Sequence, residues 1–142
     1  MTNTRLHAPA TLRNRDPILT ALRRVLPPAG TVLEVNSGTG EHAAYLAPRL
    51  VPRYWQPSDI STRACASIAA YVADAKCDNL LPPVELDVTR AEWPVRDAVA
   101  IVSINLIHIA PWQVCLGLLA GASALLPGFF NCNDKLSFRW KS

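Results

Sequence analysis

The stretch TVLEVNSGTG at Thr31–Gly40 decides the fold of this 142-residue chain. An apolar run ends at Glu34 and Val35, a glycine-containing turn follows, and helical spacing begins at Glu41. This order predicts a strand, a tight turn and a helix start. Asn36 and the glycines tolerate the left-handed backbone angles that such a turn requires. Unpaired backbone N–H groups at the start of the helix then offer a site for a polar or anionic ligand.

The composition is that of one globular domain. Half of the residues are hydrophobic and 18% are charged, which excludes a disordered chain. A net charge of +3 with scattered arginines argues against nucleic-acid binding. No apolar run reaches membrane-spanning length and no signal-peptide core is present, so we expect a cytoplasmic protein without a membrane partner. The four cysteines are far apart, which predicts reduced thiols and no metal site.

Apolar segments on both sides of the turn alternate between helical and strand patterns. Asp16 followed by Pro17 predicts the start of a helix that precedes the first strand. The alternation predicts an α/β fold of Rossmann-like type, with a doubly wound, mostly parallel sheet and helices on both faces. Further strands are expected at 53–56, 84–86 and 97–105, and further helices from Glu41, Ser61 and Pro111.

Polar side chains follow each predicted strand. Glu34 and the turn 36–40 end the first strand, Asp59 the second, Asp87 the third and Asn105 the fourth. In a doubly wound sheet, the ligand crevice lies beyond the carboxyl ends of the strands. We therefore expect these residues to meet at one edge of the sheet.

Each of these residues also admits a structural role. Asp59 is spaced either to accept hydrogen bonds from a ribose diol or to cap a helix. Asp87 would orient an adenine amino group or cap the turn after it, and Glu34 would pair with a cationic ligand group or with turn amides. Asn105 would face the crevice or bond to backbone, and His42 is expected to be structural although it could touch a cofactor.

The composition changes near residue 127. All the alanines precede this position and all the phenylalanines follow it. We therefore divide the chain into a domain at 1–128 and an atypical tail at 129–142. The tail is either an ordinary surface segment or the product of a frameshift, an alternative end or an engineered terminus.

Several short motifs carry a family resemblance. LEVNSGTG at 33–40 is similar to the first motif of class I S-adenosylmethionine-dependent methyltransferases, an acidic residue followed by a glycine-rich turn. Together with RNRDPIL at 13–19, WQPSD at 55–59, LDVT at 86–89 and INLIHIAPW at 104–112, it resembles the methyltransferase-like family known as domain of unknown function 938, which includes methyltransferase-like protein 26.

The resemblance implies that S-adenosylmethionine is the cofactor. Glu34 and the turn would face its methionine portion, Asp59 its ribose hydroxyls, Asp87 with Val88 its adenine, and Asn105 the methyl-transfer centre. The methyl acceptor, a small molecule or a protein, and any catalytic residue are not implied. The implied cofactor-binding residues are Glu34, Asn36, Ser37, Gly38, Gly40, Asp59, Asp87, Val88 and Asn105.

The chain departs from the family pattern at its end. Class I methyltransferases continue with a fifth strand, a helix and an antiparallel pair, whereas this chain stops soon after the helix expected at 111–126. We therefore expect a C-terminally truncated core. Unless the phenylalanine pair at 129–130 supplies a strand, the fourth strand becomes an exposed edge, which predicts low solubility or self-association through that edge.

Two other functions compete with the methyltransferase. The segment GTGEHA at 38–43 fits the pattern G-x-G-x-x-A, which together with Asp59 is typical of NAD-dependent oxidoreductases. Glu34, WQPSD and LDVT favour the methyl donor instead. The third possibility is a non-catalytic module that binds the nucleoside or a partner.

Overall fold

The computed structural model describes residues 3–104, 106 and 110–126, together with the backbone of 130–133 and 136–140. Helices and strands alternate along the first hundred residues, and an antiparallel pair of strands closes the chain. The elements are α1 Pro9–Val25, β1 Thr31–Val35, α2 Glu41–Leu46 with a 3-10 turn at Ala47–Arg49, β2 Tyr54–Asp59, α3 Thr62–Ala75, β3 Val84–Glu85, β4 Ala100–Ile104, α4 Trp112–Leu125, β5 Phe130–Asn133 and β6 Leu136–Trp140.

The strands form a single sheet in the order β3-β2-β1-β4-β6-β5. The first four of these strands are parallel to one another, with β1 between β2 and β4. The carboxyl ends of β1, β2, β3 and β4 therefore lie at one edge of the sheet, as the sequence predicts. The predicted α/β fold with a doubly wound, mostly parallel sheet is confirmed.

Both faces of the sheet are covered by helices. Val32 of β1 belongs to a buried cluster with Ile18 and Leu22 of α1 and Leu46 of α2. Its neighbour Leu33 belongs to a second cluster with Leu118 and Ala122 of α4. Because successive side chains of a strand point to opposite faces, this alternation places α1 and α2 on one face and α4 on the other.

Strand β4 is not an edge in the described backbone. Strand β6 runs antiparallel beside it, from Ala100 opposite Trp140 to Ile104 opposite Leu136. The sequence predicted an exposed β4 unless the tail supplied a strand, and the tail does supply one. Self-association stays a prediction, but it can no longer be argued from an exposed β4. The division of the chain at 128 also stays a prediction.

The first helix begins earlier than the sequence indicates. It starts at Pro9, so Pro17 lies inside the helix and is not its first residue. Pro9 already occupies the first turn, where a missing N–H costs nothing, and buried Ile18 and Leu22 hold the helix beyond Pro17. The predicted cap of α3 is confirmed, since the Ser61 side chain accepts a hydrogen bond from the N–H of Ala64.

In the part of the chain that is described, no helix combines the length and the apolar character needed to cross a membrane.

Candidate functional site

The turn between β1 and α2 depends on three left-handed residues. Asn36, Gly38 and Gly40 have φ angles of 60°, 63° and 93°. A Cβ at Gly40 would lie 2.9 Å from Cα of Ile68, so glycine lets α2 and α3 approach closely. A Cβ at Gly38 would meet nothing within 4 Å, so the outer side of the turn is open.

The carboxylate of Asp59 fixes this turn from the end of β2. Its Oδ2 accepts a hydrogen bond of 3.0 Å from the Gly38 N–H, and its Oδ1 accepts one of 2.9 Å from the Ser61 N–H. The residue is only 4% exposed. The helix cap is Ser61, so Asp59 does not have the capping role that the sequence admitted; it joins the turn to the start of α3.

Two serines lock the ends of β1 and β2 together. The Ser37 N–H donates to the Ser58 carbonyl over 2.8 Å, and the Ser58 N–H donates back to the Ser37 hydroxyl over 3.0 Å. The Ser58 hydroxyl in turn donates to the carbonyl of Glu34 over 2.6 Å. Ser37 is buried, so its side chain stabilises the site from behind the turn.

Glu34 lies inside the layer between the sheet and the helices α1 and α2. It is 1% exposed, and its Oε2 accepts a hydrogen bond of 2.9 Å from Nε1 of Trp55. Burial raises the pKa of Glu34 to about 7, although the bond from Trp55 opposes this rise. This carboxyl group therefore keeps its proton to a higher pH than an exposed glutamate does.

A cavity of about 70 Å³ opens at the carboxyl edge of the sheet. Three of the predicted site residues, Asn36, Asp87 and Val88, line it together. Most of its wall is apolar, and the side chain of Ile60 beside it is 60% exposed. The lining residues are Val35, Asn36, Ile60, Leu86, Asp87, Val88, Leu106 and Val114.

The remaining predicted residues lie elsewhere. Glu34, Ser37 and Asp59 are buried and are not among the residues that line this cavity. Asn105 lies outside the described residues, as does the histidine at 108 of the INLIHIAPW motif.

Ile60 is the most exposed lining residue that the sequence analysis missed. Its signal was available, because it is an apolar residue between the acid that ends β2 and the cap of α3. Leu106 and Val114 carried no such signal, since only the packing of the chain after β4 brings them to this edge.

The carboxylate of Asp87, at the cavity, already has partners on both of its oxygens. Its Oδ1 accepts hydrogen bonds from the Thr89 hydroxyl at 2.6 Å and the Thr89 N–H at 3.0 Å. Oδ2 lies 3.8 Å from Nε of Arg90. The bonds from Thr89 lower the pKa of Asp87, so it is ionised at neutral pH.

His42 joins α2 to α1. Its Nε2 lies 2.8 Å from Oδ1 of Asn14, which is part of the RNRDPIL motif. Burial lowers the pKa of His42, so the ring is neutral at neutral pH. This contact between two helices agrees with the structural role expected for His42.

Comparison with known proteins identifies the family. A family model described as a protein of unknown function, DUF938, matches residues 5–130. The chain belongs to the DUF938 family. This confirms the resemblance that the sequence motifs indicated.

Solved structures of similar fold are methyltransferases. A crystal structure of a candidate S-adenosyl-L-methionine-dependent methyltransferase from Methanococcus maripaludis aligns with a TM-score of 0.61 at 18% identity, covering 76% of this DUF938 chain and 52% of that protein. A SAM-dependent methyltransferase from Aquifex aeolicus aligns with a TM-score of 0.57 at 13% identity, covering 92% and 91% of the two chains. The DUF938 chain therefore has a class I methyltransferase-like fold, and it spans about half the length of the Methanococcus protein.

Proposed function

We propose that this chain binds S-adenosylmethionine at the carboxyl edge of its sheet and acts as a methyltransferase. The observation that carries the proposal is the cavity, which joins Asn36 of the glycine turn to Asp87 and Val88 after β3. Ligands of doubly wound sheets bind at this edge. The methyltransferases of the same fold support the choice of ligand.

The cavity walls suit a nucleobase. Ile60, Leu86 and Val88 offer apolar side chains against which a planar ring can pack. Ile60 is unusually exposed for a large aliphatic residue, so a ring above it would remove apolar surface from water. Oδ2 of Asp87, which is not used by Thr89, can accept a hydrogen bond from an exocyclic amino group.

The glycine turn suits the rest of the cofactor. The outer side of Gly38 is open, so a ligand can approach the backbone there without meeting a side chain. Each side-chain oxygen of Asp59 accepts one hydrogen bond, from the N–H of Gly38 or of Ser61, and has a second lone pair that can accept from a ribose hydroxyl. Glu34 and Ser37 would hold the turn in position and would not contact the ligand themselves.

When bound, S-adenosylmethionine supplies an activated methyl group on a sulfonium. The contribution of the chain to such a transfer is mainly alignment, because two reactants held in register react far faster than two that collide. The turn, held by Asp59, Ser37 and Ser58 through four hydrogen bonds, is fixed before any ligand arrives. Asn105, which follows β4, is proposed to lie near the transfer centre, and the acceptor is left open as a small molecule or a protein.

Calorimetric titration of the purified chain with S-adenosylmethionine, S-adenosylhomocysteine and NAD tests the proposal. We expect saturable heat with the first two ligands and none with NAD. NAD is included because it shares the ribose and adenine that the site suits. Heat with NAD alone would favour the oxidoreductase. No heat with any of the three would leave a module that binds neither nucleoside.

A further inference from the structure

An N-terminal segment lies across the helices that flank the glycine turn. We call residues 5–8 the arm. The Ala8 N–H donates to Oε1 of Glu41, at the start of α2, over 2.6 Å. The Leu6 carbonyl accepts from the hydroxyl of Tyr71, on α3, over 2.9 Å, and Arg5 pairs with Asp74 further along the same helix.

One buried hydroxyl connects the arm to the turn. Oγ of Ser67, on α3, donates to the carbonyl of Thr39 over 2.7 Å. The same oxygen accepts from the N–H of Leu6 over 2.7 Å. Ser67 is 0% exposed, so its hydroxyl has no contact with bulk water in the structure.

Both of its partners need this hydroxyl. Thr39 lies between Gly38 and Gly40, whose φ angles of 63° and 93° take the local backbone out of helical geometry. Its carbonyl, just before α2, accepts a hydrogen bond from the side chain of Ser67 on α3. Hydrogen bonds in a chain polarise and strengthen one another, so loss of the bond from Leu6 weakens the bond to Thr39, and the reverse also holds.

We propose that Ser67 is a positioning residue that couples docking of the arm to ligand binding at the glycine turn. The identity of the ligand rests on the proposed function. Because such coupling is reciprocal, a ligand that fixes Thr39 strengthens docking of the arm, and a docked arm strengthens ligand binding by the same factor. Coupling between two sites is typically five- to 150-fold in affinity, and one shared hydroxyl belongs at the low end of that range.

The wild-type chain provides the first test. Hydrogen exchange is measured at the amides of Leu6 and Ala8, with and without saturating S-adenosylhomocysteine. The coupling predicts about fivefold slower exchange at both amides on binding, although neither residue lines the cavity. Unchanged exchange at both amides while the ligand binds would overturn the proposal.

The second test removes the hydroxyl. Ser67→Ala is expected to weaken binding of S-adenosylhomocysteine about fivefold and to speed exchange at the Gly38 and Gly40 amides in the free chain. Ser61→Ala is the control for exchange. It removes the hydroxyl that caps the same helix, and that hydroxyl bonds to Ala64 and to neither Leu6 nor Thr39. Equal exchange at Gly38 and Gly40 in the two variants would contradict a positioning role for Ser67.

Tyr71→Phe keeps the test available if Ser67→Ala does not fold. It removes the bond between the Tyr71 hydroxyl and the Leu6 carbonyl, and it leaves the bond between Ser67 and Thr39 in place. We expect faster exchange at Leu6 together with weaker binding of S-adenosylhomocysteine. A loosened arm with unchanged affinity would contradict the coupling.

The two proposals fail in different ways. If the wild-type chain takes up no S-adenosylhomocysteine, the proposed function fails. The comparison of Ser67→Ala with Ser61→Ala in the free chain still decides whether Ser67 positions the turn.

Discussion

The carboxylate of Asp59 accepts a hydrogen bond of 3.0 Å from the backbone N–H of Gly38, so the end of the second strand holds the turn that follows the first. The other carboxylate oxygen holds the N–H of Ser61 at the start of α3. One buried side chain thus sets the relative position of the turn and a neighbouring helix.

Replacing Asp59 with asparagine is expected to destabilise the fold. An asparagine presents one carbonyl oxygen and one NH₂ group, so the N–H of either Gly38 or Ser61 would face a donor. A buried donor left unpaired costs about 1–3 kcal/mol, and urea unfolding should show a loss of that size. Asp87→Asn is the control, because one oxygen of Asp87 accepts both bonds from Thr89 and an amide can keep them. An equal loss of unfolding free energy in the two variants would show that the two hydrogen bonds to Asp59 do not add stability.

Glu34 is expected to make stability depend on pH. Its pKa is raised to about 7 by burial, from an ordinary value of 4.5. Between these values the folded state binds more protons than the unfolded state, so stability falls as pH rises from about 4.5 to about 7. The loss is on the order of 3 kcal/mol.

Glu34→Gln removes this titration and keeps an oxygen that can accept from Nε1 of Trp55. Urea unfolding at pH 5 and pH 8 should therefore show that the variant gains stability relative to the wild-type chain at the higher pH, by on the order of 3 kcal/mol. A difference between the two proteins that is the same at both pH values would show that Glu34 titrates normally.

Gly117 is expected to couple the packing of α4 to the cavity. A Cβ at this position would lie 2.5 Å from the carbonyl oxygen of Val88, a residue that lines the cavity. Gly117→Ala should push α4 away from Val88, cost about 1–3 kcal/mol through overpacking and weaken binding of S-adenosylhomocysteine. The better helix propensity of alanine offsets at most about 1 kcal/mol of this cost.

Ala120→Gly is the matched control for Gly117→Ala. It makes the reverse exchange at an exposed position of the same helix, so only helix propensity changes, at a cost of about 1 kcal/mol. Binding of S-adenosylhomocysteine should then match that of the wild-type chain. If Gly117→Ala also bound the ligand normally, the contact with Val88 would not matter to the cavity.

The turn was predictable because its signals are local. Asn36, Gly38 and Gly40 all adopt the left-handed angles that their residue types allow. The cap at Ser61 is equally local, since the hydroxyl bonds to an N–H three residues on. The alternation of apolar segments also fixed the order of helices and parallel strands.

The partners of the acidic residues were not predictable, because they depend on contacts distant in sequence. Glu34 and Trp55 meet only through the register of β1 and β2 and through the face on which both side chains lie. The helix start predicted at Pro17 is wrong for a related reason. Pro17 has the residue type of a helix start, yet the helix that begins at Pro9 passes through it because its far half packs in the core.

The central claim is that a ligand lies against the open side of the glycine turn, and Gly38→Asn tests it most directly. Asparagine tolerates the left-handed angle, as Asn36 does at φ 60°, and its side chain would enter the space where no protein atom lies within 4 Å. The variant should therefore unfold within about 1 kcal/mol of the wild-type chain. Calorimetric titration with S-adenosylhomocysteine should give saturable heat for the wild-type chain and at least tenfold weaker binding for the folded variant. Equal affinity in the two proteins, or no binding by the wild-type chain, would contradict the claim.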